Sequence, residues 1–530
     1  MPQGSLPLDD VCILVEGTYP YVTGGVSAWV HDIIRGHPEL RFSILNIGSR
    51  LGAYGEARYT LPTNVSHLYQ VYCEDSRPVP RAGAERAALD REIHLLGRGS
   101  SPRTRRSRVL TALRRLHFDE PVDARLLADL TSGDLTVGDF LHGREAFDLL
   151  SEVGTRLAPR TSFLDFFWNF RAIHVPILRL LETPPVQARC YHAVSTGYAG
   201  LLAAAFSSKT DRPMLLTEHG IYSRERAMDL ARASWIKDQT DGPEDFGGAT
   251  PSPLRSLWAR SFRAMAAIAY HQATHIVTLS DVSRQRQVAD GAPRSKITVV
   301  PNGVDVGVLD GTQAEAREGS GLGSEPLEGR SLRVGFVGRV VPIKDVITFI
   351  KACDLAMHAT RIDARIIGPA EEDLPYARRC RDLVDTLGRQ SSIAFVGPQP
   401  SHLIYSDLDV VVLTSFSEGQ PLVMLEAYAA GLPVIATDVG ACREMIEGRG
   451  AADQALGPSG ITTRVATPPE TAAALLRLAL EPALRRRLGA VGLRRVRGFY
   501  RRQEMLESYR ALYGKVVTNG GDRVEASAPH

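Results

Sequence analysis

The chain has 530 residues, enough for two or three domains. Its 62 basic residues nearly cancel 60 acidic ones, which argues against a general nucleic-acid binder and leaves only local patches to consider. Hydrophobic residues make up 44%, ordinary for soluble cores, and there is no run of about 18 apolar residues to span a membrane.

Residues 1–10 lack the charged and apolar regions of a secretion signal. Residues 11–16 read as an apolar strand, followed by the turn-rich Gly17-Thr-Tyr-Pro-Tyr-Val-Thr-Gly-Gly25. Val26, Trp29, Val30, Ile33 and Ile34 then fall on one helical face, and 41–47 is the next strand. This βαβ unit opens a doubly wound sheet. Gly24 and Gly25 at the helix entrance either make a tight turn or let a phosphate or sugar approach the backbone. They do not form a GxGxxG fingerprint, so a nicotinamide cofactor is not expected.

From about 77 to 160 the pattern turns helical and reads as an insertion, with helices at 84–96 and 109–116. Between them Gly97-Arg-Gly-Ser-Ser-Pro-Arg-Thr-Arg-Arg-Ser-Arg108 reads as a mobile, solvated basic loop, with an acidic partner or a membrane surface as the sharper alternative. Residues 161–181, with Phe163, Phe166, Phe167, Trp168 and Phe170, read as a core helix rather than an aromatic platform.

The α/β rhythm resumes with strands at 188–194, 213–217, 275–279 and 296–300 and a helix at 198–206. Glu218-His219-Gly220 stands at the carboxyl end of a strand, where open sheets bind ligands. A ligand role for His219 and a merely hydrogen-bonded histidine both stay open. Residues 309–331 are rich in Gly, Glu, Ser and Ala without apolar period, and read as a linker.

A second Rossmann-like domain follows, with strands at 333–337, 364–368, 393–397, 409–414 and 433–437. Ser415-Phe-Ser-Glu-Gly-Gln420 is a loop at a strand's carboxyl end. It feeds a helix that begins at Pro421 and ends at Gly431. Free N–H groups at such a helix start hold anions. Glu418 and Glu426, eight positions apart, would reach opposite ends of one ligand, or serve only as a dipole-facing and a surface carboxylate. Arg339 and Lys344, after the domain's first strand, would complete a diphosphate clamp. Asp407-Leu-Asp409 has a metal-binding spelling but precedes its strand, so it reads as a turn and no metal is expected. The eight arginines of 485–502 read as a solvated face, with a cytoplasmic-membrane contact as the sharper alternative. Met505, Leu506, Tyr509, Leu512 and Tyr513 give the C-terminal helix a core stripe, and 518–530 reads as a disordered tail. Six scattered cysteines without a CxxC pair read as reduced core thiols of a cytosolic protein.

Together these motifs resemble the GT-B glycosyltransferases, most closely family 4, the retaining nucleotide-sugar transferases. The carrying residues are the E-x7-E pair Glu418/Glu426, the Arg339/Lys344 pair and Pro301-Asn-Gly-Val-Asp305. A narrower likeness, to the PelF-type branch associated with an exopolysaccharide, rests on three stretches. They are Glu16-Gly-Thr-Tyr-Pro-Tyr-Val-Thr-Gly-Gly-Val-Ser-Ala-Trp-Val30, Thr217-Glu-His-Gly-Ile-Tyr-Ser-Arg-Glu-Arg226 and Gly338-Arg-Val-Val-Pro-Ile-Lys-Asp345. The resemblance covers about 10–515, the basic loop and the linker excepted. It implies an α/β chain with two facing Rossmann-like parallel-sheet domains. They are an acceptor domain at 1–308 carrying the 77–160 insertion, the 309–331 linker, and a nucleotide-sugar domain at 332–498. A helix at 499–517 would return to the first domain.

The resemblance also implies roles. Arg339 and Lys344 neutralise the departing diphosphate, Glu426 binds ribose hydroxyls and Glu418 holds the transferred sugar. Backbone N–H groups of Gly419, Gln420, Pro421, Leu422 and Val423 serve sugar and phosphate, except that Pro421 has none to give. Gly24 and Gly25 let the first domain close over the phosphates, and His219 faces donor sugar and acceptor. The expected activity is retaining, metal-independent hexosyl transfer from a nucleotide sugar, UDP-glucose for example, to an exopolysaccharide or other glycan acceptor. No cofactor and no nucleic-acid partner are expected; membrane polysaccharide synthase partners and a cytoplasmic place, peripheral at the inner membrane face, are. The rival readings are a UDP-sugar epimerase of the same fold and a non-catalytic nucleotide-sugar-binding subunit of a synthase.

Overall fold

The computed structural model describes residues 8–74, 102–233, 235–236, 252–309 and 330–525. The helix expected at 84–96, the start of the basic loop, most of the linker and the last five residues lie outside them. The chain divides into two units. One comprises 1–278, 286–298 and 510–530; the other comprises 279–285 and 299–509.

The first unit is built on a seven-stranded sheet in the order β3-β2-β1-β4-β5-β6-β7. Its strands are β1 (Asp9–Glu16), β2 (Phe42–Arg50), β3 (Val65–Glu74), β4 (Ala188–Ala193), β5 (Met214–Glu218), β6 (His275–Thr278) and β7 (Ile297–Val299). Val11 to Val15 are fully buried, because a parallel strand covered on both faces needs an unbroken apolar run. The order reverses between β1 and β4, so the loops after these two strands open at the sheet's switch point.

The insertion is helical where described, with Pro102–His117, Ala124–Thr131, Val137–His142 and Arg144–Leu157, and helix Phe163–Leu181 follows it. Residues 102–108, expected as a loop, instead form the first two turns of a helix. Arginine is a good helix former, and Arg103 and Arg106 reach Glu145 (2.8 Å) and Asp139 (3.4 Å) on neighbouring elements. In helix Phe163–Leu181 the core reading holds for one face: Phe166 and Phe170 are buried, whereas Phe163 and Trp168 are more than half exposed.

The second unit carries a six-stranded, all-parallel sheet, order β10-β9-β8-β11-β12-β13. Its strands are β8 (Leu332–Val337), β9 (Ile362–Ile367), β10 (Ile393–Phe395), β11 (Val410–Leu413), β12 (Val434–Thr437) and β13 (Gly460–Thr463). The order reverses between β8 and β11. The loops that follow these strands carry Arg339, Lys344 and Glu418.

The unit boundary differs from the one the sequence suggested. Residues 299–309 belong to the second unit because Val304 is bound into it. The Val304 N–H donates to the Tyr500 carbonyl (3.0 Å), and the Arg502 N–H donates to the Val304 carbonyl (3.0 Å). At the other end one helix, Arg502–Glu525, is counted with the second unit to Tyr509 and with the first from Arg510. Arg510 pairs with Glu39 at 2.8 Å, and Tyr513 meets His192 Nδ1 at 2.7 Å. The helix runs past 517, where a disordered tail was expected, and through Gly520 and Gly521. Extending an existing helix is far less costly than starting one.

The arginine-rich stretch is also not simply a solvated face. Arg485 and Arg495 are buried, and Arg495 is the hub of a closed polar network. Its Nε donates to Asp453 Oδ1 (2.5 Å), Nη1 to Ser459 Oγ (2.8 Å) and the Ile446 carbonyl (2.6 Å), and Nη2 to the Gly457 carbonyl (2.8 Å). Lysine keeps the charge but cannot reach these acceptors as a planar fork. Arg495→Lys is therefore expected to cost about 2 kcal/mol in urea unfolding, since hydrogen bonds to charged groups are worth about 1.5–3 kcal/mol.

All six cysteines are buried free thiols, and burial pushes those of Cys12, Cys73 and Cys190 up to about 12. Among the described residues no helix is long and apolar enough to cross a membrane.

Candidate functional site

In the second unit two loops at the switch point are stitched into one surface. The Phe416 N–H donates to the Ile343 carbonyl (2.8 Å), and Thr414 Oγ1 donates to the Asp345 carbonyl (2.8 Å). Thr437 Oγ1 binds the Ser415 carbonyl (2.7 Å), and the Ala441 N–H binds that of Gly419 (2.9 Å). The loop after β12 comes so close that a Cβ on Gly440, whose φ is +53°, would lie 1.8 Å from the Glu418 carbonyl oxygen. Only glycine fits there.

This framework brings Lys344 and Glu418 together. Lys344 Nζ lies 2.6 Å from Glu418 Oε1, which also accepts from Ser415 Oγ at 2.6 Å. The carboxylate side chain is 8% exposed and the lysine 23%. Beside them helix Leu422–Ala429 begins, with Pro421 as its N-cap rather than its first residue. Its first-turn N–H groups, Leu422 and Val423 among them, have no acceptor within the helix and carry the positive end of its dipole.

Glu426 sits one turn along this helix. Burial pushes its carboxyl pKa up, and Tyr405 donates its hydroxyl to Oε2 at 2.5 Å. Arg339, the other cation expected in the clamp, has its Nη1 held by both oxygens of Glu372 (2.6 and 2.7 Å), both side chains being more than 40% exposed. Exposed pairs of this kind are worth about 0–1 kcal/mol, so a stronger anion displaces one readily. Gln420 spends its side chain and carbonyl on Asn302. Its Oε1 accepts the Asn302 N–H at 2.6 Å, and its carbonyl accepts Asn302 Nδ2 at 3.3 Å.

Tyr405 and Glu372, the partners of Glu426 and Arg339, were not picked out from the sequence. Glu372 lies in the conspicuous Glu371-Glu372-Asp373 run, but no local signal marks Tyr405. Asp407 and Asp409 are taken up by arginines: Asp407 pairs with Arg333 and Arg365, Asp409 with Arg330 at 2.7 Å. Among the described residues no group of three or more His, Cys, Asp or Glu side chains gathers as a metal site.

In the first unit Gly24 caps helix Gly25–Gly36 and is exposed; a Cβ there would meet nothing within 4 Å. Sterics inside the chain therefore do not demand glycine at Gly24, and Gly25 is exposed as well. His219 follows β5 and stands edge-on to Trp29, ring centroids 4.6 Å apart. Its Nε2 is buried without a hydrogen-bond partner. Its neighbour Glu218 is fully used, accepting from Thr196 (2.9 Å), Tyr270 (2.7 Å), Gln287 (2.7 Å) and the Tyr222 N–H (3.1 Å). Glu218 thus fixes the strand end that presents His219.

Burial holds His174 and His219 down to about 4 and His192 down to about 3, against 6.5 for an ordinary histidine. The unfolded chain therefore takes up these protons first. Their contribution is complete above pH 6.5 and is lost as pH falls through 4, each group costing at most about 1.4 kcal/mol per pH unit. Thermal melting between pH 7 and 4 should show Tm dropping steadily below pH 6.5.

Residues 9–295 match the family described as domain of unknown function (DUF3492), and 331–481 match glycosyl transferases group 1. Among curated relatives, the D-inositol 3-phosphate glycosyltransferase of Nocardia farcinica is 30% identical over 248 residues, covering 44% of this chain and 52% of the relative. That of Kineococcus radiotolerans is 31% identical over 272 residues, covering 47% and 60%. The chain thus spans about half the length of the curated relatives it matches.

Two solved structures share the fold. Anabaena Alr3699/HepE in complex with UDP and glucose superposes with TM-score 0.56 at 14% identity, covering 96% of this chain and 99% of that one. The sucrose-phosphate synthase of Thermosynechococcus elongatus gives 0.57 at 15% identity, covering 96% and 100%. With two parallel-sheet Rossmann-like units of the GT-B fold, the chain belongs to the DUF3492 family, and 331–481 within its second unit match glycosyl transferases group 1.

Proposed function

We propose that the chain is a retaining, metal-independent glycosyltransferase that moves a hexose from a nucleotide sugar, with UDP-glucose the favoured donor, to an exopolysaccharide or other glycan acceptor. The observation that carries this reading is the 2.6 Å Lys344–Glu418 pair beside the start of helix Leu422–Ala429. A cation and helix N–H groups meet there with a sugar-binding carboxylate at one sheet edge. The donor diphosphate takes over Lys344 and draws Arg339 from Glu372. Glu418 then turns its carboxylate to the sugar hydroxyls. Glu426, steadied by Tyr405, keeps an oxygen for the ribose.

As the glycosidic bond breaks, negative charge develops on the diphosphate and positive charge on the sugar ring. Fixed cations and N–H groups stabilise the first. The acceptor hydroxyl attacks on the same face, and its proton passes to the leaving phosphate, so configuration is retained. His219, neutral and with Nε2 unengaged, is assigned to the sugar hydroxyls. Relatives named for glycosyl transfer, and fold neighbours crystallised with UDP and glucose and with UDP-glucose, support the donor class. Placement in the PelF-type branch rests on the three motifs quoted above. With it go a cytoplasmic site of action, at the inner membrane face, and membrane synthase partners.

A panel of nucleotide sugars, read by melting shift and by UDP release with glycan acceptors, tests this. The expected result is a shift and acceptor-dependent UDP release with a UDP-hexose. A new UDP-sugar formed without UDP release would identify an epimerase instead. UDP binding without transfer to any acceptor or membrane fraction would leave a binding subunit.

A further inference from the structure

The first unit holds a cavity of about 870 Å³ that the donor site does not use. This lies at the upper end of the roughly 300–1,000 Å³ of small-ligand pockets. Its floor is the carboxyl edge of the sheet, at Glu16 of β1 and the ends of β2 and β3. Its walls are helices Phe163–Leu181, Tyr222–Arg232 and Pro253–Gln272.

The charged groups on these walls are unequal. Glu16 is spent inside the protein: Oε1 accepts from the Tyr222 hydroxyl (2.7 Å) and Oε2 from the Tyr198 N–H (3.0 Å). Burial also pushes its pKa up, away from the charged form. Glu74, at the end of β3, is the other lining carboxylate and is exposed. Against these stand Arg171, Arg179 and Arg226. Among the described residues Arg171 makes no ion pair; its guanidinium lies 5.3 Å over the Trp168 ring. Arg226 shares Nη2 with Asp229 at 3.1 Å, while its Nε is buried without an acceptor.

The cavity also carries two tryptophans at right angles, ring centroids 5.5 Å apart. Trp258 spends its N–H on Asn169 (2.8 Å), whereas Trp235 is 58% exposed. An open indole face beside guanidinium forks suits a sugar ring that bears a carboxylate or phosphate.

We propose that this cavity binds the acceptor and that the acceptor is a glycan carrying an anionic group, held by Arg171 and Arg226 and stacked on Trp235. The assignment of the bound glycan as acceptor rests on the transferase reading above; the binding itself does not.

The test is calorimetric titration of the full chain with tetragalacturonate, its methyl ester, a neutral glucose tetrasaccharide and a hexose 1-phosphate. Tetragalacturonate should bind at least about tenfold more tightly than its ester or the neutral glucan, and added salt should weaken it. Arg171→Glu should abolish the difference and Arg171→Lys restore part of it. Trp235→Ala should weaken the ester as well. Arg171→Gln, which removes the charge and the guanidinium fork without adding a negative charge, replaces Arg171→Glu if melting shows that variant unfolded. Arg171-dependent binding of the hexose phosphate alone would support a phosphate-bearing acceptor. Equal binding of charged and neutral oligosaccharides, or indifference to Arg171, would overturn the proposal.

UDP release from UDP-glucose is measured with the same compounds. Release to the neutral glucan alone refutes the anionic acceptor but keeps the transferase. Arg171-dependent binding with no release from any donor keeps the anion site but refutes the transferase.

Discussion

Lys344→Ala is expected to lower kcat with UDP-glucose by about 10²–10³-fold, the usual loss when one fixed donor to a developing anion is removed. Lys344 is held against Glu418 and is 23% exposed, which fixes its ammonium at the loop. Affinity for UDP-glucose should fall too, because the same ammonium meets the diphosphate before the bond breaks. Arg339, drawn from Glu372 onto the same diphosphate, is expected to add to Lys344 rather than replace it. Lys344→Arg should recover little: the larger planar head cannot occupy a point-charge position closed by Ser415 and Glu418. Steady-state kinetics and a UDP titration measure both effects, and an unchanged kcat in Lys344→Ala would refute the assigned role.

Glu418→Ala is expected to cost about 10²-fold in kcat while leaving affinity for UDP within about twofold of the parent. The carboxylate is assigned to the transferred sugar, which UDP lacks, and the ribose partner Glu426 keeps its Tyr405 support. Glu418→Gln should be milder, since the amide still accepts from Ser415 and from a sugar hydroxyl. A variant that lost UDP affinity and kept kcat would invert the division of labour between the two glutamates. The split between kcat and UDP affinity is what separates Glu418 from Lys344 by experiment.

The buried strands were legible because their residues have nowhere polar to go. Val410 to Leu413 is flanked on both sides in its sheet and covered on both faces, so it is apolar without interruption. β3 and β13 were not read, for the opposite reason. They lie at sheet edges, and half-exposed residues such as Tyr69 and Gln70, or short Gly-Ile-Thr-Thr, carry no clear period. Within the site, loop position and helix start were legible from Pro421, Gly431 and the strand before them. The ion pair of Lys344 with Glu418 was not, because it depends on how two loops 74 residues apart are sewn together. Gln420 shows the same limit: nothing local announced that its side chain would reach Asn302, 118 residues away. Arg495 was misread because arginine is usually outside, and only the carbonyls converging from Ile446 and Gly457 explain its burial.

The six thiols are divided evenly, Cys12, Cys73 and Cys190 in the first unit and Cys353, Cys380 and Cys442 in the second. Five are shut away from solvent, Cys73 lines the cavity of the first unit at 8% exposure, and no disulfide ties them. A thiol reagent can therefore modify the other five only at the rate at which a unit opens. Timed alkylation followed by peptide mass analysis would clock the opening of each unit separately, with no engineered label. Nucleotide-sugar binding should then slow the second clock, the one whose Cys442 begins the helix behind the Glu418 loop.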